Sequence, residues 1–247
     1  MEQAGNTLDQ SAFALAIHLV TTGDSDLYSI VGLSLQVSFT AVVIATLLGL
    51  PIAAWLAVMR FAGRRAIVTV LNALLGLPPV VVGLFVYLSL SRAGPLGGLG
   101  LLFTPTAMVI AQTILITPIV AAVALRSLED FDAEYSEQLR AHGLGRRERA
   151  LTLLREARFS LATAVLAGFG RSVAEVGAVI IVGGNIDGVT RVMTTAIALE
   201  TSKGNLALAL GLGMILLTIA LGVNAIAEVL RSLNAGTRRA ARRQVRP

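Results

Sequence analysis

Five long apolar segments dominate this 247-residue sequence, and they leave little of it to build a water-soluble fold. Crossing a hydrocarbon core about 30 Å thick takes a helix of about 20 mainly apolar residues. The segments that meet this requirement are 30–59, 66–90, 105–125, 161–182 and 206–230. Charged residues make up only 14% of the chain, against about 25% in soluble domains. We therefore predict an all-α membrane protein with five transmembrane helices.

The first 29 residues contain a shorter apolar stretch that is not expected to span the membrane. This stretch, 11–20, is flanked by Asp9, Asp24 and Asp26. Because it is too short to cross a bilayer, we predict a helix that lies in the membrane interface. Residues 1–29 then form an extracytoplasmic or interfacial segment.

The basic residues indicate the orientation, because lysine and arginine are enriched in cytoplasmic connections. With the N-terminus outside, three arginines near residue 60, seven between 126 and 158 and six in the tail 231–247 all face the cytoplasm. Only Arg92, Arg191 and Lys203 face outward, and Arg171 falls inside the fourth apolar segment. The C-terminal tail is then a cytoplasmic topology anchor beside anionic lipid, and we predict no nucleic-acid partner.

Several residue types that enzymes use are scarce in the sequence. Cysteine is absent, and the two histidines, His18 and His142, are far apart, so no metal site is predicted. The single lysine, Lys203, does not follow the glycine-rich turn that holds nucleotide phosphates. We therefore predict that the chain is not an enzyme, binds no cofactor itself and takes any energy from ATP through another polypeptide.

The segment 126–160 differs from the rest of the chain, because it holds seven arginines and seven acids. Helix-forming residues precede Gly143, a residue type that often ends helices, and a second helical run follows it. Two helices joined by a glycine-containing turn present a shaped surface, and this arrangement predicts a docking site. The alternative is a solvated cytoplasmic loop.

The same segment resembles the cytoplasmic coupling loop of the membrane subunits of ATP-binding cassette importers. Glu137 takes the glutamate position of that motif and Gly143 takes its glycine position, whereas the small residues after the glutamate are replaced here by Gln138 and Leu139. A later proline of the pattern is replaced by Glu156. The resemblance implies that the ATPase docks on a set of residues in this loop: Glu137, Gln138, Leu139, Ala141 and Gly143.

The resemblance extends from about residue 30 to about residue 230. The stretches "GLPPVVVGL" and "AEVGAVIIVGGNI" are similar to the molybdate, tungstate and sulfate branch, and the continuation to "ALETSKGN" is most similar to tungstate-type permeases. This implies a type I importer permease fold over residues 30–230 in the cytoplasmic membrane of a prokaryote. It also implies a homodimer with two cytoplasmic ATPases, which bind the ATP and Mg, and an extracytoplasmic solute-binding protein. The implied cargo is an oxyanion: tungstate, or alternatively molybdate or sulfate.

Arg171 and Glu175 are candidates for the pathway, because they are one helical turn apart near the middle of the fourth segment. A charged side chain at this depth costs about 2.5–3.5 kcal/mol on insertion scales, so both should face the bundle interior. They either line the pathway or form a buried pair that fixes helix packing. Three polar residues of the outer connection 183–205 are further candidates, unless that connection is simply an interfacial loop with a short helix: Asn185, Thr194 and Thr195.

Two other classes of membrane protein compete with an importer subunit. An ion-coupled secondary transporter is expected to show repeated halves and several ionisable groups at the midplane, whereas this sequence has one such pair and no obvious repeat. An intramembrane enzyme needs a nucleophile with its base or a metal cluster, for which this sequence has few suitable residues.

Overall fold

A computed structural model describes the backbone of residues 2–141 and 145–244 and the side chains of residues 12–135 and 145–232. Throughout these ranges the regular structure is helical, without a strand, which confirms the predicted all-α class. The helices are α1 (Glu2–Thr22), α2 (Ser25–Val58), α3 (Arg64–Ala73), α4 (Pro79–Leu90), α5 (Pro105–Ala141), α6 (Arg146–Glu156), α7 (Arg158–Val173), α8 (Gly177–Gly183), α9 (Met193–Lys203) and α10 (Leu206–Gln244).

Three of these helices are long and apolar enough to cross a membrane by themselves: α2, α5 and α10. The second and fourth predicted spans are each interrupted, so that α3 with α4 and α7 with α8 raise the number of candidate spans to five. Residues 66–90 and 161–182 therefore do not form the continuous helices that the sequence predicted.

Prolines explain the interruption of the second span. Pro78 is extended and precedes α4, and Pro79 occupies its first turn. Proline lacks an amide hydrogen and disfavours a helical residue before it, so the preceding helix ends while a new one can begin. Pro51 and Pro118, in contrast, lie inside α2 and α5, which continue past them.

The N-terminal segment contains a longer helix than expected. The predicted stretch 11–20 lies within α1, whose described apolar part, Ala12–Thr22, is still too short to cross a membrane. The chain turns at Gly23, which has a φ of +76°. Asp24 then caps α2, because its carboxylate accepts hydrogen bonds from the amides of Asp26 (3.1 Å) and Leu27 (3.0 Å).

The third span continues beyond its predicted end at residue 125, because α5 runs without a break to Ala141. The first half of the charged segment is therefore an extension of a membrane-spanning helix and not a separate short helix. After the turn, Gly145 precedes the first residue of α6, and its amide donates to the Glu148 carboxylate at 2.9 Å. The predicted coupling loop 126–160 is thus largely helical over its described residues.

The chain divides into two compact units. The first comprises residues 1–41, 78–112 and 172–221, and the second comprises residues 42–77, 113–171 and 222–247. In the first unit α4 packs closely against α8, since a Cβ at Gly83 would lie 2.8 Å from the Cα of Ala178. The second unit has an apolar core to which α2, α5, α6 and α7 contribute, including Leu56, Leu128 and Leu153.

We predict that Gly83→Ala lowers the stability of the folded chain, because the added methyl group has no room beside the α8 backbone. Overpacking of this kind costs about 1–3 kcal/mol. Thermal unfolding in one detergent provides the measurement. The matched control is Gly32→Ala in α2, where a Cβ meets nothing within 4 Å, so it is expected to be neutral or stabilising. Equal melting temperatures for the two variants would contradict this packing.

Candidate functional site

A cluster of buried polar side chains lies inside the first unit, contributed by helices that are distant in the sequence. These side chains line a cavity of about 10 Å³: Ser34, Ser38, Gln112, Ser172, Glu175 and Thr194. That volume is close to what one water molecule needs. The interior is therefore polar enough to interact with an anion, but this cavity is too small to hold a tetrahedral oxyanion.

The interruption of the fourth span explains much of this cluster. Between the end of α7 and the start of α8, backbone groups lose their helical partners, and each one left unpaired in an apolar interior costs several kcal/mol. Side chains supply replacements. Gln112 Nε2 donates to the Ser172 carbonyl at 3.2 Å, and Thr194 Oγ1 donates to the Glu175 carbonyl at 2.8 Å.

Two further side-chain hydrogen bonds contribute to the arrangement at this break. Ser172 Oγ donates to Gln112 Oε1 at 2.7 Å, so that these two residues bond reciprocally. The carboxylate of Glu175 accepts the amide of Ala178 at 3.2 Å, near the first turn of α8. A negative charge at a helix N-terminus is favourable, so Glu175 stabilises the start of the helix that follows the break.

The outer connection is fixed to the helices by its own hydrogen bonds. Ser34 of α2 accepts the amide of Met193 at 2.6 Å, which anchors the first residue of α9. The hydroxyl of Thr190 donates to the Gly183 carbonyl at 2.6 Å and accepts the Ile186 amide at 2.9 Å. The connection 183–205 is thus an ordered element in which α9 matches the short helix that the sequence allowed.

The predicted pathway residues have different environments. Glu175, Thr194 and Thr195 are buried in the first unit, whereas Asn185 is half-buried and has a left-handed backbone (φ +52°). Arg171 is exposed on the surface of this single chain, and its predicted place in the pathway stays a prediction. Because α7 ends at Val173, Arg171 and Glu175 also do not share the continuous helical turn on which their pairing was predicted.

The amide of Asn185 is only partly satisfied. Its Nδ2 donates to the Thr195 carbonyl at 3.4 Å. Its Oδ1 is buried and has no hydrogen-bond partner within the part of the chain whose side chains are described. Thr195 is better satisfied, since its hydroxyl accepts the Val192 amide at 3.2 Å and so closes the first turn of α9.

Sequence reasoning missed four members of the cluster, Ser38 and the three discussed next: Gln112, Ser172 and Ser34. Gln112 carried a usable signal, because an amide side chain within an apolar span faces a protein partner in most membrane helices. The two serines carried none, since a serine in a membrane helix often bonds only to its own backbone. Ser34 does so as well, donating to the Ile30 carbonyl at 2.8 Å.

Two ion pairs in the second unit fix the charged segment to its neighbours. Arg149 of α6 donates to Asp132 of α5 at 2.7 Å, and Asp132 is only 7% exposed. Arg64 of α3 pairs with Glu129 of α5 and also donates to the Leu56 carbonyl at 2.8 Å. Because the Arg149 side chain is partly exposed, the pair is weaker than a fully buried one, whose loss costs about 3–5 kcal/mol, but it still joins α6 to α5.

The predicted ATPase-docking residues lie at the edge of what the structure describes. Glu137, Gln138, Leu139 and Ala141 belong to the last turns of α5, and their side chains are outside the described residues. Gly143 is outside them entirely. The docking role of these five residues therefore stays a prediction.

Glu200 of α9 has a perturbed acidity outside the membrane-spanning helices. Hydrogen bonds from the Lys203 ammonium (2.9 Å) and from Asn205 (3.0 Å) hold the pKa of this buried carboxyl below its ordinary value, although burial opposes the shift. The charged form is therefore favoured by folding. Its contribution to stability is fully present above the unfolded-state pKa and is lost as the pH falls through the lower folded-state pKa.

We predict that Gln112→Leu destabilises the chain by about 1–3 kcal/mol, because it leaves the buried hydroxyl of Ser172 without its acceptor and removes one of the two hydrogen bonds to the Ser172 carbonyl, which also accepts the Glu175 amide. The double variant with Gln112→Leu and Ser172→Ala should lose less free energy of unfolding than the sum of the losses in the two single variants. Denaturant unfolding in detergent measures both.

The neighbouring Thr113→Val is the matched control, because the Thr113 hydroxyl is buried without a hydrogen-bond partner among the described residues. It should leave stability unchanged or raise it. If Gln112→Leu is as stable as Thr113→Val, the hydrogen bonds of Gln112 do not stabilise the break between α7 and α8.

Comparison with known proteins identifies relatives over most of the chain. A family model described as "Binding-protein-dependent transport system inner membrane component" matches residues 45–233. A probable anion ABC transporter permease protein of Haloferax volcanii is 43% identical over 215 residues, covering 85% of this chain and 93% of the relative.

Two further relatives carry a more specific description. The tungstate uptake system permease protein of Peptoclostridium acidaminophilum is 39% identical, over 87% of this chain and 94% of its own length. The protein of the same description in Campylobacter jejuni is 37% identical, over 89% of this chain and 92% of its own length. The similarity therefore includes both units of the structure.

Proposed function

Because this chain belongs to the family of binding-protein-dependent transport system inner membrane components, we propose that it is the permease of an ATP-driven importer that carries tungstate into the cell. It is a multi-pass protein of the prokaryotic cytoplasmic membrane and an ABC transporter permease. The observation that supports tungstate best is the similarity, over nearly the whole chain, to two permeases described as tungstate uptake components. Molybdate and sulfate, tetrahedral dianions as well, are the alternative cargoes.

The proposed assembly follows from what one chain lacks. The described residues supply at most five spans, which are too few to enclose a route for a hydrated anion, so we propose a homodimer. The distribution of arginine favours an N-terminus outside and a C-terminus in the cytoplasm. Two cytoplasmic ATPases bind the ATP and Mg, an extracytoplasmic solute-binding protein delivers the anion, and the chain itself performs no bond chemistry.

The docking surface in this proposal is the segment around Glu137–Gly143, at the end of α5. Motion of a docked ATPase there would act directly on α5, which is also one of the membrane-spanning helices. The Arg149–Asp132 pair joins α6 to α5, and the Arg64–Glu129 pair joins α3 to it. These contacts support a mechanism in which α3, α5 and α6 respond together when the ATPases close.

For the pathway we propose Arg171 as a cationic contact for the passing anion. Its exposure on this chain supports that role, because an exposed guanidinium is accessible to an anion outside the chain. Glu175, Asn185, Thr194 and Thr195 are the proposed gate. Their hydrogen bonds shape the broken span and the start of α9, which are segments that can rearrange between two states more easily than a continuous helix.

We predict that Glu137→Arg strongly reduces co-purification of the ATPase in mild detergent. Reversing a charge at a docking contact costs about 2–5 kcal/mol when the pair is buried, which corresponds to at least a tenfold loss of association. Glu228→Arg is the control, because Glu228 is exposed on α10 and pairs only loosely with Arg231, at 3.6 Å. Unchanged ATPase association and uptake for Glu137→Arg would refute the docking site.

We predict that Arg171→Ala lowers tungstate accumulation about tenfold, the effect of losing one hydrogen bond to a charged group, while the ATPase still co-purifies. Arg92→Ala, at an exposed arginine of the outer connection between α4 and α5, should retain full uptake. Accumulation measured in cells with equal amounts of each variant provides the test. Undiminished uptake by a stable, ATPase-bound Arg171→Ala protein would exclude Arg171 from the pathway.

A further inference from the structure

A second cavity lies in the second unit, at the turn that joins α2 to α3. Its volume is about 690 Å³, and its walls come from the end of α2, the turn at 60–63, the start of α3 and the middle of α5. The charged residues that line it are Arg60, Arg64, Arg65, Glu129 and Asp132. It is separate from the buried polar cluster around Glu175, and the proposed transport mechanism does not use it.

The charges of this cavity are not balanced. Both lining acids are already neutralised, because Glu129 pairs with Arg64 and Asp132 pairs with Arg149. Arg60 and Arg65 are exposed, and neither forms an ion pair or a hydrogen bond with any residue whose side chain the structure describes. Among the described side chains, these two guanidinium groups therefore remain unpaired at the cavity, and they favour an anionic occupant with several acceptor oxygens.

The surroundings of the cavity are typical of a membrane–water boundary. Trp55, on the last turns of α2, is 46% exposed, and its ring centroid lies 5.0 Å from that of Phe61 in the turn, which is 38% exposed. Tryptophan is enriched at the level of lipid headgroups, and Phe61 packs against it here. The apolar Ile67 and Val70 of α3 are also 42% and 58% exposed, so apolar surface continues along the helix that begins at the cavity.

We propose that this cavity binds the headgroup of an anionic phospholipid, with Arg60 and Arg65 contacting the phosphate and Trp55 lying beside the upper part of an acyl chain. A phosphate group matches the paired guanidinium donors, and the lipid supplies it at the depth where the aromatic pair lies. The bound lipid would brace the α2–α3 turn, next to Arg64, which itself connects α3 to α5. The site is independent of which oxyanion is transported.

The chain has a single tryptophan, Trp55, so its fluorescence reports on this site directly. The full-length chain in neutral mixed micelles is titrated with phosphatidylglycerol or phosphatidylcholine, each brominated on its acyl chains to quench tryptophan. Each arginine beside an anionic lipid surface adds to the free energy of binding that lipid. We therefore expect half-maximal quenching at an about tenfold lower concentration of phosphatidylglycerol than of phosphatidylcholine. Equal quenching by the two lipids in the wild-type chain overturns the proposal, whether or not any variant folds.

Variants identify the residues responsible. Arg60→Gln with Arg65→Gln should abolish the preference for phosphatidylglycerol, and Arg60→Lys with Arg65→Lys should keep most of it. Arg238→Gln with Arg239→Gln removes the same charge from the basic tail and should leave the preference unchanged. If the tail variant loses the preference as completely as the cavity variant, the attraction to anionic lipid is nonspecific and the cavity is not a lipid-binding site.

Two further measurements distinguish a bound lipid from other occupants of the cavity. Inorganic phosphate, compared with chloride at equal ionic strength, should not relieve quenching; if it does, the cavity takes a free phosphate and the lipid assignment is wrong. If Arg60→Gln with Arg65→Gln leaves quenching unchanged but abolishes co-purification of the ATPase, the surface docks a protein instead. Either result is independent of tungstate uptake, so failure here does not bear on the proposed function.

Discussion

The constraint on which this structure most depends is the need to satisfy backbone groups where a membrane span is broken. Without water in the hydrocarbon region, an unpaired amide or carbonyl costs several kcal/mol. At the break after Val173, Gln112, Thr194 and Glu175 therefore bond to backbone groups that the end of the helix leaves free. These side chains come from α5, from α9 and from the break itself, so the same bonds also fix the outer connection to the helices.

In the second unit, a small number of polar contacts meets a different requirement. Its charged segment has to be soluble at the membrane surface and yet stay attached to a spanning helix. The Arg149–Asp132 pair and the buried Leu153 attach α6 to α5, and Arg64 attaches α3 to the same helix. A force applied at the end of α5 thus reaches neighbouring helices through specific contacts. This is the property that a subunit driven by a separate ATPase requires.

The sequence predicted the helical class and that long apolar segments supply the candidate spans, because these follow from the length and hydropathy of each segment. It did not predict the break after Val173, since no proline marks it as Pro78 and Pro79 mark the other one. Nor did it predict the extension of α5 to Ala141, where a charged sequence still forms a helix. At the candidate site, Glu175 was found from its charge, but Gln112 and Ser172 depend on a tertiary contact across 60 residues, which no local pattern reveals. The exposure of Arg171 likewise depends on how the helices pack.

The central claim is that ATP hydrolysis by a partner drives tungstate through this chain. The direct measurement is accumulation of radioactive tungstate in proteoliposomes that contain this chain with its ATPase, with the solute-binding protein outside and ATP enclosed. Accumulation should require both ATP and the binding protein and should exceed that of molybdate and sulfate offered at the same concentration. Accumulation driven by a proton or sodium gradient without ATP would contradict the account and identify an ion-coupled transporter instead.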